Sequence, residues 1–224
     1  LNIKHTHQGF RKTPYASVQQ YKIAYAFATN AYRISYKGEW MGTAGKADFL
    51  LHVIANAPDN TQNFFGRGNE TLFNKTGDYK KFYRTRFSIY QADPVLRWKG
   101  SKGPSFSLGP SFQFYHYNPD ENKGRFTLNT SLIGSYDSST IAKDKSHLGL
   151  VMNFTNDNRN NKIFTTWGSY INIHVQGYIG LNDYSKSFLQ IIPEIVLYKP
   201  LNAARTIILA ERLGGGISLG KTTF

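Results

Sequence analysis

The stretch Tyr21-Lys22-Ile23-Ala24-Tyr25-Ala26-Phe27-Ala28-Thr29 alternates without a break. In an extended chain, successive side chains point to opposite faces, so Tyr21, Ile23, Tyr25, Phe27 and Thr29 share one face and Lys22, Ala24, Ala26 and Ala28 the other. That is a strand with a large apolar face and a small-residue face. Asn30-Ala31 reads as a tight connection, after which Tyr32, Ile34 and Tyr36 alternate with Arg33, Ser35 and Lys37 as far as Trp40. The two segments together predict a β-hairpin.

Outward from this hairpin the same period recurs. Gly42 to Gly45 predicts a turn, and Ala47, Phe49, Leu51, Val53 and Ala55 then alternate with Asp48, Leu50, His52 and Ile54. A polar loop is expected from Asn56 through Asn60. After Gly77-Asp78, Tyr83, Thr85, Phe87 and Ile89 are set against Arg84, Arg86, Ser88 and Tyr90. The second half predicts further strands around Phe106 to Tyr117, Phe126 to Leu132, Leu148 to Phe154, Ile171 to Ile179, Phe188 to Tyr198 and Arg205 to Leu213. No stretch carries a helical period. The result is about ten strands, each about ten residues long, which is the length a tilted strand needs to cross a bilayer.

Composition narrows the class. The 224 residues show no boundary between two domains and are treated as one unit, 1–224. Aromatic residues make up 15% of the chain and charged residues only 18%, against about a quarter in an ordinary soluble domain. The net charge of +13 raises the question of nucleic acid, but the basic residues are scattered along the chain with no dense block and no RNP, zinc-finger or helix-turn-helix signature. A charged barrel lumen, with loops facing anionic lipid head groups, accounts for the charge better. There is no cysteine, which excludes disulfides, thiolate catalysis and Cys-ligated metal. Leu1 to Phe10 is polar, with no apolar core of a signal peptide. No apolar run approaches the ~18 residues of a transmembrane helix, which leaves open a β-barrel whose strands alternate.

An up-and-down meander can be a soluble barrel with an apolar interior or a membrane barrel with its apolar faces turned outward. The sequence does not show which way the faces point. Aromatic residues near strand ends, polar opposite faces bearing Arg84 and Arg86, and strands of bilayer length favour the membrane form.

The most distinctive loop reads Asn63-Phe64-Phe65-Gly66-Arg67-Gly68-Asn69-Glu70-Thr71. Its two glycines around a charged residue make a shaped connection between strands, placed at a barrel rim. Chemistry is hard to build from the rest. The six histidines are mostly isolated, and His5-x-His7 has ligand-like spacing but no carboxylate nearby in sequence, so it reads as an exposed segment. No Gly-x-Ser-x-Gly is present. Gly215-x4-Gly220-Lys221-Thr222 matches a phosphate-loop pattern formally, yet lacks the strand-loop-helix context and reads as a bulged strand end. Phe224 invites comparison with the terminal aromatic of outer-membrane proteins, although Lys221-Thr222-Thr223 does not continue an apolar alternation. No catalytic, cofactor or metal-binding residue is expected.

Three stretches together, Gly9 to Ala16, Tyr36-Lys37-Gly38-Glu39-Trp40 and the loop Asn63 to Thr71, resemble the outer-membrane barrel of Omp85-type surface antigens. The likeness is greatest to the Bacteroidota branch in which such a barrel follows a calcineurin-like metallophosphoesterase domain. Gly109-Pro110-Ser111-Phe112, Asn161 to Gly168 and Leu213-Gly214-Gly215-Gly216 also fit, so the resemblance spans nearly the whole chain. Within the marker loop it rests on Asn63, Phe64, Phe65, Gly66, Gly68, Asn69, Glu70 and Thr71. Gly68-Asn69-Glu70 has a superficial likeness to the Gly-Asn-His-Glu of phosphoesterases but lacks the histidine.

The chain departs from the family at Thr165-Thr166-Trp167-Gly168, where a Pro-Thr-Arg-Gly element is common, and it lacks the Arg-Gly-Phe or Arg-Gly-Tyr loop element. The resemblance implies a barrel of sixteen strands, of which this chain would be the first ten or eleven. It also implies a barrel without chemistry of its own, set in the outer membrane of a Gram-negative bacterium. Such a barrel anchors a larger protein, its partners being membrane lipid, lipopolysaccharide and outer-membrane assembly proteins, and not nucleic acid. A complete ten-strand pore or enzyme and a soluble all-β binding protein remain as alternatives.

Overall fold

A computed structural model describes residues 1–66, 71–101, 103–129 and 140–222. One antiparallel sheet of 11 strands dominates it. In chain order these are β1 (Asn2–His7), β2 (Ser17–Ala26), β3 (Ala31–Ala44), β4 (Ala47–Asn63), β5 (Arg84–Lys99), β6 (Pro104–His116), β7 (Lys145–Asp157), β8 (Gly168–Gly180), β9 (Phe188–Pro200), β10 (Ile208–Gly214) and β11 (Ile217–Gly220). A one-turn helix, α1 (Tyr79–Phe82), and two 3-10 turns at Asp120–Asn122 and Phe126–Leu128 complete the regular structure. Strands pair with their sequence neighbours from β1 to β10, and β11 also lies on β9. Leu213 faces Ile195 and Ile217 faces Ile191, so β10 and β11 keep one register across Gly215-Gly216 and act as a single interrupted strand.

The registers settle the question of faces. Tyr21 lies opposite Tyr36, Tyr36 opposite Val53 and Val53 opposite Ala92. Ala92 continues to Phe112, Leu148 and Ile179. The same face carries Tyr90, Leu96, Trp98, Phe106, Leu108, Leu150, Ile195, Leu197, Leu213 and Ile217, all large and most of them exposed. Side chains of the opposite parity include Asp48, Asp93, Ser111, Gln113, Lys145 and His147, which are buried. Apolar groups therefore face out and polar groups in, the reverse of a soluble core and the arrangement of a membrane barrel. The sheet curls toward the polar side, since Gln62 of β4 borders one small cavity together with Gln113, Gln176 and Gln190. The molecule is an open partial barrel.

The belt has gaps. Register carries the outward face onto His5, His7, Ser17 and Gln19 at the β1 edge, and onto Glu211 of β10. Cross-strand packing in the belt is aromatic, as in the pairs Tyr21–Tyr36, Tyr25–Tyr32, Trp40–Phe49 and Trp98–Phe106. Such pairs hold register because a one-residue slip would turn the whole apolar set inward.

Several sequence expectations need correction. The segment Leu1 to Phe10 contains a strand, β1. The polar loop expected from Asn56 to Asn60 is part of β4, which runs 17 residues with a register shift between Asn56 and Asn60. Side chains mend the ladder there: Arg33 Nε donates to Asn60 Oδ1 at 2.8 Å, and Asp59 N donates to Ser88 Oγ at 3.1 Å. The first part of the strand expected from Phe126 to Leu132 is instead a 3-10 turn over Phe126–Leu128, because Phe126 is drawn into an aromatic cluster, and residues 130–132 lie outside the described residues. Phe27 lies in the β2–β3 turn, outside β2, and Arg205 lies in the turn before β10. On β5 the expected polarity is reversed at one end. Thr85 and Phe87 are buried on the inner face, while Arg84 and Arg86 have outward parity.

Candidate functional site

Three features of the inner side and its rims bring polar residues together: a hydrogen-bonded wall, an ionic cluster at one rim and a cap at the other. The connections 8–16, 45–46, 100–103, 158–167 and 201–207 gather at one end of the sheet, the short-turn end. At the other end lie 27–30, 181–187 and the two longest connections, 64–83 and 117–144, which define the long-loop end.

The wall is centred on Asp93. Ser111 Oγ donates to its Oδ1, Gln91 Nε2 donates to Oδ2 at 2.8 Å, and His52 Nδ1 lies 3.5 Å from Oδ2. Tyr178 reaches from β8 over β7 to β6, with its hydroxyl 2.7 Å from Ser111 Oγ and accepting from Gln113 Nε2 at 2.8 Å. Gly149 makes this reach possible. A Cβ there would meet the Gly177 carbonyl and stand 2.5 Å from the Tyr178 ring. Its centre, Asp93, Ser111, Gln113 and Tyr178, is buried and its polar groups bond to one another, which rigidifies the wall, while Gln91 and His52 are partly exposed at its border. It does not form a hydrolytic triad. Aspartate, not histidine, bridges the other two groups, so the imidazole cannot take the serine proton.

At the short-turn end, Arg97 Nη2 donates to Glu39 Oε2 at 2.9 Å and to Asp48 Oδ2 at 3.1 Å. Lys99 Nζ lies 2.9 Å from the same Asp48 oxygen, and Gly42 N donates to Asp48 Oδ1 at 2.9 Å. Tyr15, on the connection 8–16, donates to Glu39 Oε2 at 3.1 Å. Burial and the neighbouring Glu39 carboxylate both push its phenol above the ordinary value. This cluster ties one connection and three strands together at the rim.

At the long-loop end, Phe64, Tyr83 and Phe126 are buried against one another, with Tyr79 and Phe82 packed around them. Asn122 is fully buried (0% exposed). Its Oδ1 accepts from Arg86 N at 2.8 Å, and its Nδ2 donates to Arg86 O and Asn118 O, each at 2.8 Å. Arg125 donates to three carbonyls: Glu121 O at 2.9 Å, Lys81 O at 3.0 Å and Arg84 O at 3.0 Å. Residues 79–83 of one long connection and 118–126 of the other are thereby stapled at the end of β5.

The marker loop enters this cap. Asn63 is the last residue of β4 and pairs with Arg84. Phe64 joins the buried cluster, and Phe65 packs on Phe73 and Tyr83. Gly66 has φ +86, which a side chain would resist. Thr71 Oγ1 donates to Phe65 O, closing the loop on itself. Gly68, Asn69 and Glu70 lie outside the described residues. Asn122 and Arg125 carried no motif in the sequence; only Asn118-Pro119-Asp120 before them signalled a turn. His5 and His7 sit exposed on β1, and among the described residues no group of three or more His, Asp and Glu is placed to hold a metal ion. Of the stretch Gly215 to Gly220, Ile217–Gly220 is strand paired with β9, and Gly215-Gly216 is the interruption between β10 and β11.

No family model matches the chain, and no curated protein matches it by sequence. The fold is similar to that of a solved structure, BamA from Haemophilus ducreyi lacking POTRA domains 1–3, with a TM-score of 0.57 at 12% identity. That likeness covers 99% of this chain and 41% of the BamA chain, so this chain spans about two fifths of the length of the one it resembles. At such identity the likeness shows the fold: an antiparallel β-barrel of BamA type, present here as an open part.

Proposed function

We propose that residues 1–224 are the Omp85-like outer-membrane barrel region of a larger protein, which they anchor in the outer membrane of a Gram-negative bacterium. The observation that carries this reading is the inverted sheet. Exposed Leu, Ile, Phe and Tyr on one face and a buried polar wall on the other suit hydrocarbon outside and a polar lumen within. Nothing in the wall supplies an activated nucleophile, so the region acts by holding and shaping.

β1 and β10 end the sheet, and unpaired backbone cannot stand in hydrocarbon. Further strands of the larger protein close the barrel in this reading. A second reading, a ten-strand barrel closing on itself, is favoured by one fact: β10 and β11 share a register, leaving ten strands, an even number. The long-loop end faces the exterior and the short-turn end the periplasm, following the usual asymmetry of such barrels. On the sequence resemblance alone, the anchored domain is of the calcineurin-like phosphoesterase class, or the barrel serves the assembly of other outer-membrane proteins.

Cell fractionation with gel mobility tests the central reading. The protein is expected in the outer-membrane fraction, running faster unboiled than boiled. Recovery in the soluble fraction with no mobility difference would overturn it.

A further inference from the structure

The outward belt is broken by an apolar groove of about 940 Å³ over β6 to β9 and β11, toward the long-loop end. That volume falls in the range of small-ligand sites. Its walls include Leu108, Leu150, Ile179, Leu189 and Leu219, and its floor is Gly177. At Gly38, on the same face, the Trp40 ring and the Tyr36 hydroxyl occupy the space a side chain would take. At Gly177 a Cβ would touch only Leu189, at 3.3 Å, so the space stands open.

Two exposed lysines adjoin the lining at this end in the chain: Lys221 follows Gly220 and Lys186 precedes Ser187. Lys221 N donates to Ser187 O at 3.3 Å, one residue beyond the end of β11, and the Lys221 side chain is exposed. Lys186 is exposed, and its ammonium reaches only the Asp183 backbone carbonyl, at 3.5 Å. Among the described residues neither lysine has a carboxylate partner. Lys143 lies close by in the fold, its ammonium 5.5 Å from the Tyr184 ring.

We propose that this groove is a lipid site: it takes one acyl chain of lipid A, whose phosphate rests on Lys221 and Lys186 at the rim. The proposal rests on the orientation given above, which sets the long-loop rim in the leaflet that carries this phosphorylated, acylated glycolipid. An apolar trough beside unpaired ammonium groups matches such a ligand in both chemistry and order, chain below and anion above.

Native mass spectrometry of the full-length protein in dodecyl maltoside tests the site, with diphosphoryl lipid A, its dephosphorylated form and dioleoylphosphatidylglycerol as probes. One lipid A retained per chain is expected, with the other two probes held at least about tenfold more weakly. Gly177→Phe fills the groove and Lys221→Glu reverses the rim charge, and each should lower lipid A retention by about tenfold or more. Gly177→Phe that folds and keeps wild-type retention overturns the proposal, as does phosphatidylglycerol held as tightly as lipid A. If Gly177→Phe does not fold, the rim variant decides, and its undiminished retention overturns the site. Unboiled gel mobility separates the two readings. A wild-type protein that runs fast unboiled yet binds no lipid A refutes this site alone, whereas one without the fast form refutes the barrel.

Discussion

Asn122 does for β5 what a neighbouring strand would do. The last pair between β5 and β6 is Ser88 with His116, and beyond it the β5 backbone has no strand on that side. The Asn122 carboxamide then offers one acceptor and one donor to Arg86 N and O, copying a peptide group. Because the residue is fully buried, replacing it leaves both Arg86 groups without a partner or water. Asn122→Ala should cost roughly 2–4 kcal/mol of cap stability. Asn122→Asp should fare no better, since it keeps the acceptor, loses the donor and buries a charge. Limited proteolysis of membrane-embedded protein checks this: cleavage within 117–129 should rise sharply in both variants. Wild-type cleavage rates in Asn122→Ala would show that the amide's hydrogen bonds do not hold the cap.

The cap as an element contains a second buried polar group, Tyr117, whose hydroxyl donates to Thr127 Oγ1 at 3.0 Å. Burial raises its pKa above the ordinary 10.0, against smaller lowering effects from Thr127, Thr85 and Arg125. The folded cap therefore favours the protonated phenol. Its contribution to stability is complete below the unfolded pKa and is lost as pH rises through the folded one. Protease cleavage in 117–129 should accelerate above about pH 10, and Tyr117→Phe should remove that dependence; a flat wild-type profile to pH 11.5, beyond about one unit above the ordinary value, would contradict it. This element also marks where sequence reading stops. The central strands were legible because Phe106 to Phe114, Leu148 to Phe154 and Ile171 to Ile179 alternate, and that alternation needs no knowledge of partners. β1 was not legible, because Asn2, Lys4 and Thr6 on one face and His5 and His7 on the other carry no contrast. Phe126 to Leu132 alternates as well as any strand, yet Phe126 turns toward Phe64 and Tyr83, contacts contributed by a connection 40 and more residues away in sequence. The cap's polar staples, Asn122 and Arg125, look like any loop residues until the backbone groups they bind are in view.

At the scale of the molecule, the charge of +13 is sorted by the fold. Arg33, Lys37 and Arg97 face inward, Lys75, Lys80, Lys81, Lys123, Lys143 and Lys186 lie on the long-loop end, and Arg11, Lys12, Lys46, Arg159, Lys162 and Arg205 lie on the short-turn end. The apolar belt between the rims holds one acid, Glu211, away from the β1 edge. In the proposed outer-membrane reading the charge does not choose the sense of insertion, because both rims are basic, and loop length does. The 64–83 and 117–144 connections, whose parts 64–66, 71–83 and 117–129 form the cap, are longer than the periplasmic turns expected of such a barrel. Lys75 on that cap should therefore be reachable from outside the cell, and Lys46, in the two-residue turn between β3 and β4, should not. Residues 1–224 have no cysteine, so Lys75→Cys and Lys46→Cys each add the one thiol of this region, and labelling is read against the parent protein treated in the same way. On intact cells a membrane-impermeant maleimide should label Lys75→Cys and spare Lys46→Cys; after the outer membrane is permeabilised both should react. Both positions are exposed and lie outside the strands, so neither change disturbs the sheet. Labelling of Lys46→Cys alone on intact cells would invert the orientation, moving the long-loop rim, and the groove beneath it, to the periplasmic leaflet.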